Sequence, residues 1–236
     1  MLKKLLFRDF NAERRNQWLT AKLSQIPSGL RILDAGAGEL KNQKHCKHLN
    51  YFSQDFCQYE GTGNGQGLHT GSWDTSKIDF VCDLISIPEP DNSFDVVLCS
   101  EVFEHIPDPL PALTEFSRLL KPGGKLILTA PFSSHVHFAP YHFCTGFSKY
   151  WYEHHLPLSG FNIEELTPNG DWFDFFHQEA ARFGLMAKKY DEKLWPLAWI
   201  LSFLCIMYFK IRRQQKPKSD NMCCLGWHCV ATKFKL

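Results

Sequence analysis

The chain has 236 residues, of which 44% are hydrophobic and 22% charged, with a formal net charge of +1. That is an ordinary globular composition, long enough for one domain to bury about 70–75% of its unfolded surface, and so neutral a balance gives no general pull toward polyanions, so nucleic acid is not expected as a partner. Nine scattered cysteines, never spaced Cys-x-x-Cys, argue against a disulfide framework or a four-cysteine zinc site and fit a reducing cytoplasm.

No export signal is expected, because Leu5-Leu6-Phe7 is cut short by Arg8-Asp9. From Asn11 to Ile26, Trp18, Leu19, Leu23 and Ile26 recur at helical spacing, which predicts an amphipathic lead-in helix within residues 1–28. Short aliphatic runs follow at Leu30–Leu33, Ile78–Cys82, Phe94–Cys99 and Lys125–Thr129, with a further strand over Asn50–Gln54. Runs of this kind suit parallel strands covered on both faces.

Asp108 and Pro109 are placed to start a helix whose inner stripe is Leu110, Leu113, Phe116, Leu119 and Leu120. Lys121-Pro122-Gly123-Gly124 is expected to end it and turn the chain into the next strand. The alternation predicts an α/β fold with a doubly wound, Rossmann-like sheet over residues 29–131.

The first strand runs into Asp34-Ala35-Gly36-Ala37-Gly38, a turn whose missing side chains let a ligand approach backbone N–H groups. Read alone, it is also compatible with a purely structural turn. A dinucleotide turn would carry a third glycine where Lys41 stands, which argues against a pyrophosphate and against a nicotinamide-dependent oxidoreductase. Asp55 follows about twenty residues later, where a strand-end acid can accept both ribose hydroxyl protons. Asp83 ends the third strand, where a carboxylate can accept from an adenine amino group while the Leu84 N–H donates to the ring.

These segments resemble one known family. Leu33-Asp34-Ala35-Gly36-Ala37-Gly38, Asp55, Asp83 with Ile87-Pro88, Ser93-Phe94-Asp95-Val96-Val97, Glu101-Val102-Phe103-Glu104-His105-Ile106 and Leu119-Leu120-Lys121-Pro122-Gly123-Gly124 are similar to the motifs of class I S-adenosylmethionine-dependent methyltransferases, type-11 group. The resemblance covers about residues 30–131. It implies S-adenosylmethionine as methyl donor, with Asp34, Gly36 and Gly38 at its methionine end, Asp55 and Phe56 at the ribose, Asp83 and Leu84 at the adenine, and Ser100 beside the transferred methyl. It also implies a small-molecule or glycan acceptor, such as a sugar or lipid-linked sugar. A binding or scaffold protein that keeps the fold without catalysis is the competing reading.

Methyl transfer is an in-line displacement, so the protein must chiefly hold a nucleophile about 3 Å from the methyl carbon. A hydroxyl acceptor would also need its proton removed, a task for a histidine. His137 and His142, after the fifth strand in a segment (132–160) expected to roof the site, rank first, followed by His105. Each is also compatible with a structural role. Three histidines this close invite a metal reading, but no acid lies between His135 and His142, so no metal is expected. The run from Tyr59 to Trp73 carries five glycines between Gly61 and Gly71 and reads equally as a mobile flap or as a surface loop.

Phe161–Thr167 and Cys223–Phe234 alternate as strands; by the resemblance they form a closing antiparallel hairpin, with the last strand within 222–234 and a helical insertion at 171–213. The whole chain, 1–236, then reads as a single methyltransferase domain. Leu194–Phe209 holds sixteen residues without a charge, followed by Lys210, Arg212, Arg213, Lys216 and Lys218. It is short of the roughly 20 residues of a membrane span, and crossing would separate the last strand from its sheet. It reads either as a helix buried against the domain or a second copy of the chain in a homodimer, or as an interfacial helix making peripheral membrane contact through 194–213.

Overall fold

The computed structural model describes residues 10–69, 71–212 and 219–235. The Leu5-Leu6-Phe7 segment and the basic residues Arg213, Lys216 and Lys218 lie outside them. The chain divides into two compact units, one spanning Gln17–Thr167 with Gly226–Leu236, the other Met1–Asn16 with Pro168–Leu225.

The larger unit is built on a sheet of strands β1 (Arg31–Ala35), β2 (Asn50–Asp55), β3 (Phe80–Val81), β4 (Phe94–Ser100), β5 (Leu120–Pro131), β6 (Phe161–Asn169) and β7 (Gly226–Lys233). Their order is β3-β2-β1-β4-β5-β7-β6. β1 pairs in parallel with β2 and β4, and β4 with β5, while β7 returns antiparallel to β5. The doubly wound sheet with an antiparallel C-terminal end is the expected architecture. The order reverses at β1 and β4, so their C-terminal ends diverge into a crevice suited to a ligand.

Ile32, Leu33, Val97, Leu98 and Leu128 are almost wholly buried, in keeping with strands covered on both faces. Helix α1 (Phe10–Ser24) packs Leu19 and Leu23, with Ile26 just beyond it, against Ile32, Leu49, Val96 and Ile127. Trp18 at its edge stacks on His228 at 4.7 Å and donates its indole N–H to Glu165 at 2.8 Å. Helix α2 (Leu110–Leu119) starts where expected, with the Leu110 N–H donating to Asp108 at 3.0 Å.

Three local expectations are corrected. Lys121-Pro122-Gly123-Gly124 is no turn ahead of the fifth strand. The pairing jumps from Phe94–Leu120 to Val96–Lys125, so these four residues bulge within β5. The third strand keeps only Phe80 and Val81, because it pairs with β2 alone, at two positions. Helix α3 (Lys149–Leu158), inside the expected roof, went unread in the sequence; its Tyr152 and Leu156, four apart, are fully buried.

The glycine-rich run 59–73 is tied to the roof rather than loose. The Asn64 N–H donates to the Ala139 carbonyl at 3.1 Å, Leu68 to Val136 at 3.1 Å, and Phe138 back to Leu68 at 3.0 Å. Gly63 sits at φ +51, and a Cβ there would lie 2.0 Å from the Ala139 oxygen. Gly63→Ala is therefore expected to cost about 1–3 kcal/mol of stability through strain and backbone displacement, read as a lower midpoint in thermal unfolding. An unchanged midpoint would mean that this loop is not held against the roof in solution.

The second unit contains helices α4 (Trp172–Lys189) and α5 (Trp195–Arg212), the two helices of the segment expected to be helical. Asp171 caps α4 by accepting the Phe173 and Asp174 N–H groups, and Asp174 returns to the Asp171 N–H while pairing with Arg14 at 2.6 Å. Against α4, helix α5 buries Ala198, Ser202 and Ile206; the Gly184 N–H donates to the Ser202 hydroxyl at 2.9 Å. Several of its large apolar side chains, Ile200, Leu204, Tyr208 and Ile211 among them, are instead exposed, with Ile211 at 73%.

Candidate functional site

The crevice beyond β1, β2 and β4 holds a cavity of about 640 Å³. Its floor begins at the glycine turn. Gly36 has φ +76, and a Cβ there would meet a Val102 methyl at 2.4 Å, so both backbone angle and space demand glycine. The Gly36 N–H donates to the Gln54 carbonyl at 2.9 Å and the Ala37 N–H to the same oxygen at 2.8 Å. These bonds hold the turn against the end of β2. No α-helix follows the turn before β2, only a short 3₁₀ segment, Gln43–His45.

Asp55 is buried at the end of β2 and fixes the turn from the other side. One carboxylate oxygen accepts the Gly38 N–H at 2.9 Å and the other the Cys57 N–H at 2.9 Å. A carboxylate has about four acceptor positions, so Asp55 keeps capacity for two hydroxyl donors. Asp34, also buried, accepts the Tyr51 hydroxyl at 2.7 Å; burial is the main reason its carboxyl is pushed up to about 6.

Of the residues expected at the cofactor, Gly36, Asp55, Phe56, Asp83 and Leu84 line the cavity, and Asp34, Gly38 and Ser100 do not. Gly38 reaches the site through its bond to Asp55. Ser100 hydrogen-bonds Thr129 at 2.8 Å, and the next residue, Glu101, lines the wall instead, with φ +57 and its carboxylate accepting from Thr129 at 3.0 Å. Glu101 was given no role from sequence; its position one residue past the apolar run of β4, in the strand-end crevice, is the signal that could have found it. Trp73 is a second unassigned wall residue, with its ring edge-on to Tyr59 at 5.0 Å and to Phe138 at 5.2 Å.

The electrostatics of the cavity favour a cation. Asp55, Asp83, Glu101 and Asp108 all line it, with no lysine or arginine among its described lining residues. A pyrophosphate would be repelled here, whereas a sulfonium or ammonium charge would be attracted.

The histidines come together at one wall. His105 lines the cavity, whereas His137 and His142 do not and instead contact one another and His105: ring centroids are 4.6 Å apart for His105 and His137, 4.8 Å for His137 and His142, and 6.0 Å for His105 and His142. His105 Nδ1 lies 2.6 Å from the Tyr141 carbonyl, so that nitrogen carries the proton and donates it, leaving a lone pair on Nε2. Burial first, then the neighbouring rings, push the His105 imidazole down to about 3, and the same two causes lower His142. The acid that is missing between His135 and His142 arrives from elsewhere: Glu104, 1% exposed, puts its carboxylate 3.6 Å from His105 Nε2 and 3.9 Å from His137 Nε2.

A family described as a methyltransferase domain matches residues 33–128. The ubiquinone biosynthesis O-methyltransferase of Xanthomonas axonopodis pv. citri (strain 306) is 32% identical over 118 residues, 49% of this chain and 48% of that protein. The demethylmenaquinone methyltransferase of Renibacterium salmoninarum is 40% identical over 84 residues, 35% of this chain and 34% of the relative. In these alignments the chain spans at most about half the length of the curated relatives it matches. Among solved structures, phosphoethanolamine N-methyltransferase 2 of Haemonchus contortus, in complex with S-adenosyl-L-methionine, superposes with a TM-score of 0.54 at 18% identity, over 94% of this chain and 52% of that one, a likeness of fold. Residues 33–128 thus match the type-11 methyltransferase domain.

Proposed function

We propose that the protein transfers the methyl group of S-adenosylmethionine to a hydroxyl of a small, lipid-tailed acceptor presented at a membrane surface. The observation that carries the donor half is the cavity lined by four carboxylates and, among the described residues, no lysine or arginine, with Asp55 buried at the end of β2 and Asp83 two residues beyond β3. Asp55 would accept from the ribose, Asp83 and the Leu84 N–H would hold the adenine, and the positive sulfonium would face Glu101. The acceptor end is aromatic, with Phe138, Tyr141 and Phe143 on the wall that includes His105. The histidine group His105, His137 and His142 handles the proton that the acceptor hydroxyl releases.

Two observations support a lipid-tailed acceptor. The relatives' names place them in quinone methylation. Helix α5 also leaves Ile200, Leu204, Tyr208 and Ile211 exposed, an apolar surface that its packing within the unit does not cover. No helix among the described residues is long and apolar enough to cross a membrane, so α5 would lie along the surface; the sequence after Phe209 is basic (Lys210, Arg212, Arg213, Lys216, Lys218), a composition that favours anionic lipid.

The test uses radiolabelled S-adenosylmethionine and vesicles of neutral or anionic phospholipid. The expected result is co-sedimentation with anionic vesicles, weakened by Ile200→Glu/Leu204→Glu, together with label transfer to a phenolic quinone precursor. Label appearing in a lipid-linked sugar would redirect the acceptor to a glycan, and no vesicle binding would remove the membrane half of the proposal.

A further inference from the structure

The histidine cluster has the composition and orientation of a metal site. We infer that His105, His137 and His142, with Glu104, bind a divalent transition-metal ion of the zinc class. The inference stands on ring geometry and does not depend on the identity of the methyl acceptor.

The three imidazoles can each offer one nitrogen such that the ligand atoms lie within 4.8 Å of one another. Around a tetrahedral ion with metal–nitrogen bonds of about 2.0–2.1 Å, ligand atoms stand roughly 3.3 Å apart, so modest ring rotations close the set. The Glu104 carboxylate is already near that spacing, at 3.6 Å from His105 Nε2 and 3.9 Å from His137 Nε2. Imidazole nitrogens and one carboxylate suit zinc, cobalt or nickel rather than magnesium or calcium, which prefer all-oxygen shells.

Orientation gives an independent argument. Ligating histidines usually donate their other ring N–H to a carbonyl or carboxylate, which fixes the tautomer and aims the lone pair at the ion. Two of the three do so: His105 Nδ1 is 2.6 Å from the Tyr141 carbonyl and His137 Nδ1 is 2.8 Å from the His135 carbonyl. Both Nε2 atoms therefore present lone pairs, and these are the atoms that approach Glu104. Buried nitrogens add to the case, since His105 Nε2 and both nitrogens of His142 are out of contact with solvent and make no hydrogen bond. Leaving buried polar atoms unsatisfied is costly unless something else meets them. An ion would meet the buried nitrogens of His105 and His142 and neutralise the Glu104 carboxylate, pinning the roof at 135–142 to the residues just after β4.

The site uses positions 104, 105, 137 and 142, from two segments that meet only in the fold. Because His105 also lines the cavity, a bound ion would sit at the acceptor wall, and the histidine group would then handle the acceptor's proton through the ion rather than through a bare ring.

The experiment is titration of chelator-treated, full-length protein with Co²⁺ and with Zn²⁺ alone, followed by visible absorption and by competition with a chromophoric chelator. The expected result is one equivalent per chain, visible d–d absorption without thiolate charge-transfer bands, and a loss of about 100-fold in affinity in His142→Gln and in Glu104→Gln. Circular dichroism and S-adenosylmethionine binding report whether each variant folds; a variant that fails there is replaced by His137→Gln, whose side chain is 22% exposed against 13% for His105. The inference is overturned by thiolate bands, which would assign binding to the free cysteines, by affinity unchanged in folded variants, or by stoichiometry below one tenth of an equivalent.

Discussion

Asp55→Ala weakens S-adenosylmethionine binding by about 1.5–3 kcal/mol, roughly 10- to 150-fold, the usual loss for a charged hydrogen-bond partner. The structure adds a second consequence. The same carboxylate accepts the Gly38 and Cys57 N–H groups, so alanine leaves two backbone donors without their acceptor and loosens the glycine turn. A drop in thermal stability, about 1–3 kcal/mol, should accompany the loss of affinity. Asp55→Asn separates the two effects, because its carbonyl can still accept one N–H while its amide cannot accept a hydroxyl proton. Isothermal titration calorimetry and thermal unfolding of both variants check the prediction. Affinity equal to that of the wild type in Asp55→Ala would remove the ribose assignment, whatever the stability.

His105→Gln lowers the rate of methyl transfer by about 10²-fold, the low end of the range for a lost proton-transfer group because burial holds its imidazole down to about 3 and makes it a weak base, while leaving S-adenosylmethionine affinity within a factor of about three. The split follows from position. His105 lies on the wall with Phe138, Tyr141 and Phe143, whereas the groups assigned to ribose and adenine are Asp55, Asp83 and Leu84. Glutamine retains a donor toward the Tyr141 carbonyl, so the roof keeps that anchor. Single-turnover rates with labelled cofactor, beside calorimetric affinity, measure the two quantities separately. Equal loss of both would make His105 a structural support, and loss of neither would move the acceptor site elsewhere.

Much of the strand-end crevice is legible in the order of residues. Apolar runs specify strands locally, a glycine-rich turn follows the first of them, and Asp55 and Asp83 stand at strand ends where a parallel sheet leaves its crevice. Those features depend on backbone conformation and on burial within short windows, which neighbouring residues encode. Glu101 escaped notice because its role depends on a positive φ after β4 that turns it to the wall while Ser100 binds Thr129.

The acceptor half is different in kind. The rank order that put His137 and His142 ahead of His105 came from loop position, but the fold sets His105 on the cavity and the other two against its ring. Glu104 meets His137 across thirty-three positions of sequence, and Gly63 and Gly67 are needed because the roof backbone at Ala139 and Val136 passes beside them. Helix α5 announces an apolar segment in sequence, yet its uniform hydrophobicity cannot say which side chains pack and which face outward. Strand identities, the glycine turn and its two acidic partners therefore follow from local residue pattern. The convergence of the histidines, their acid and the roof follows from sheet order and loop closure, which join residues far apart in the chain and so leave no periodic trace in it.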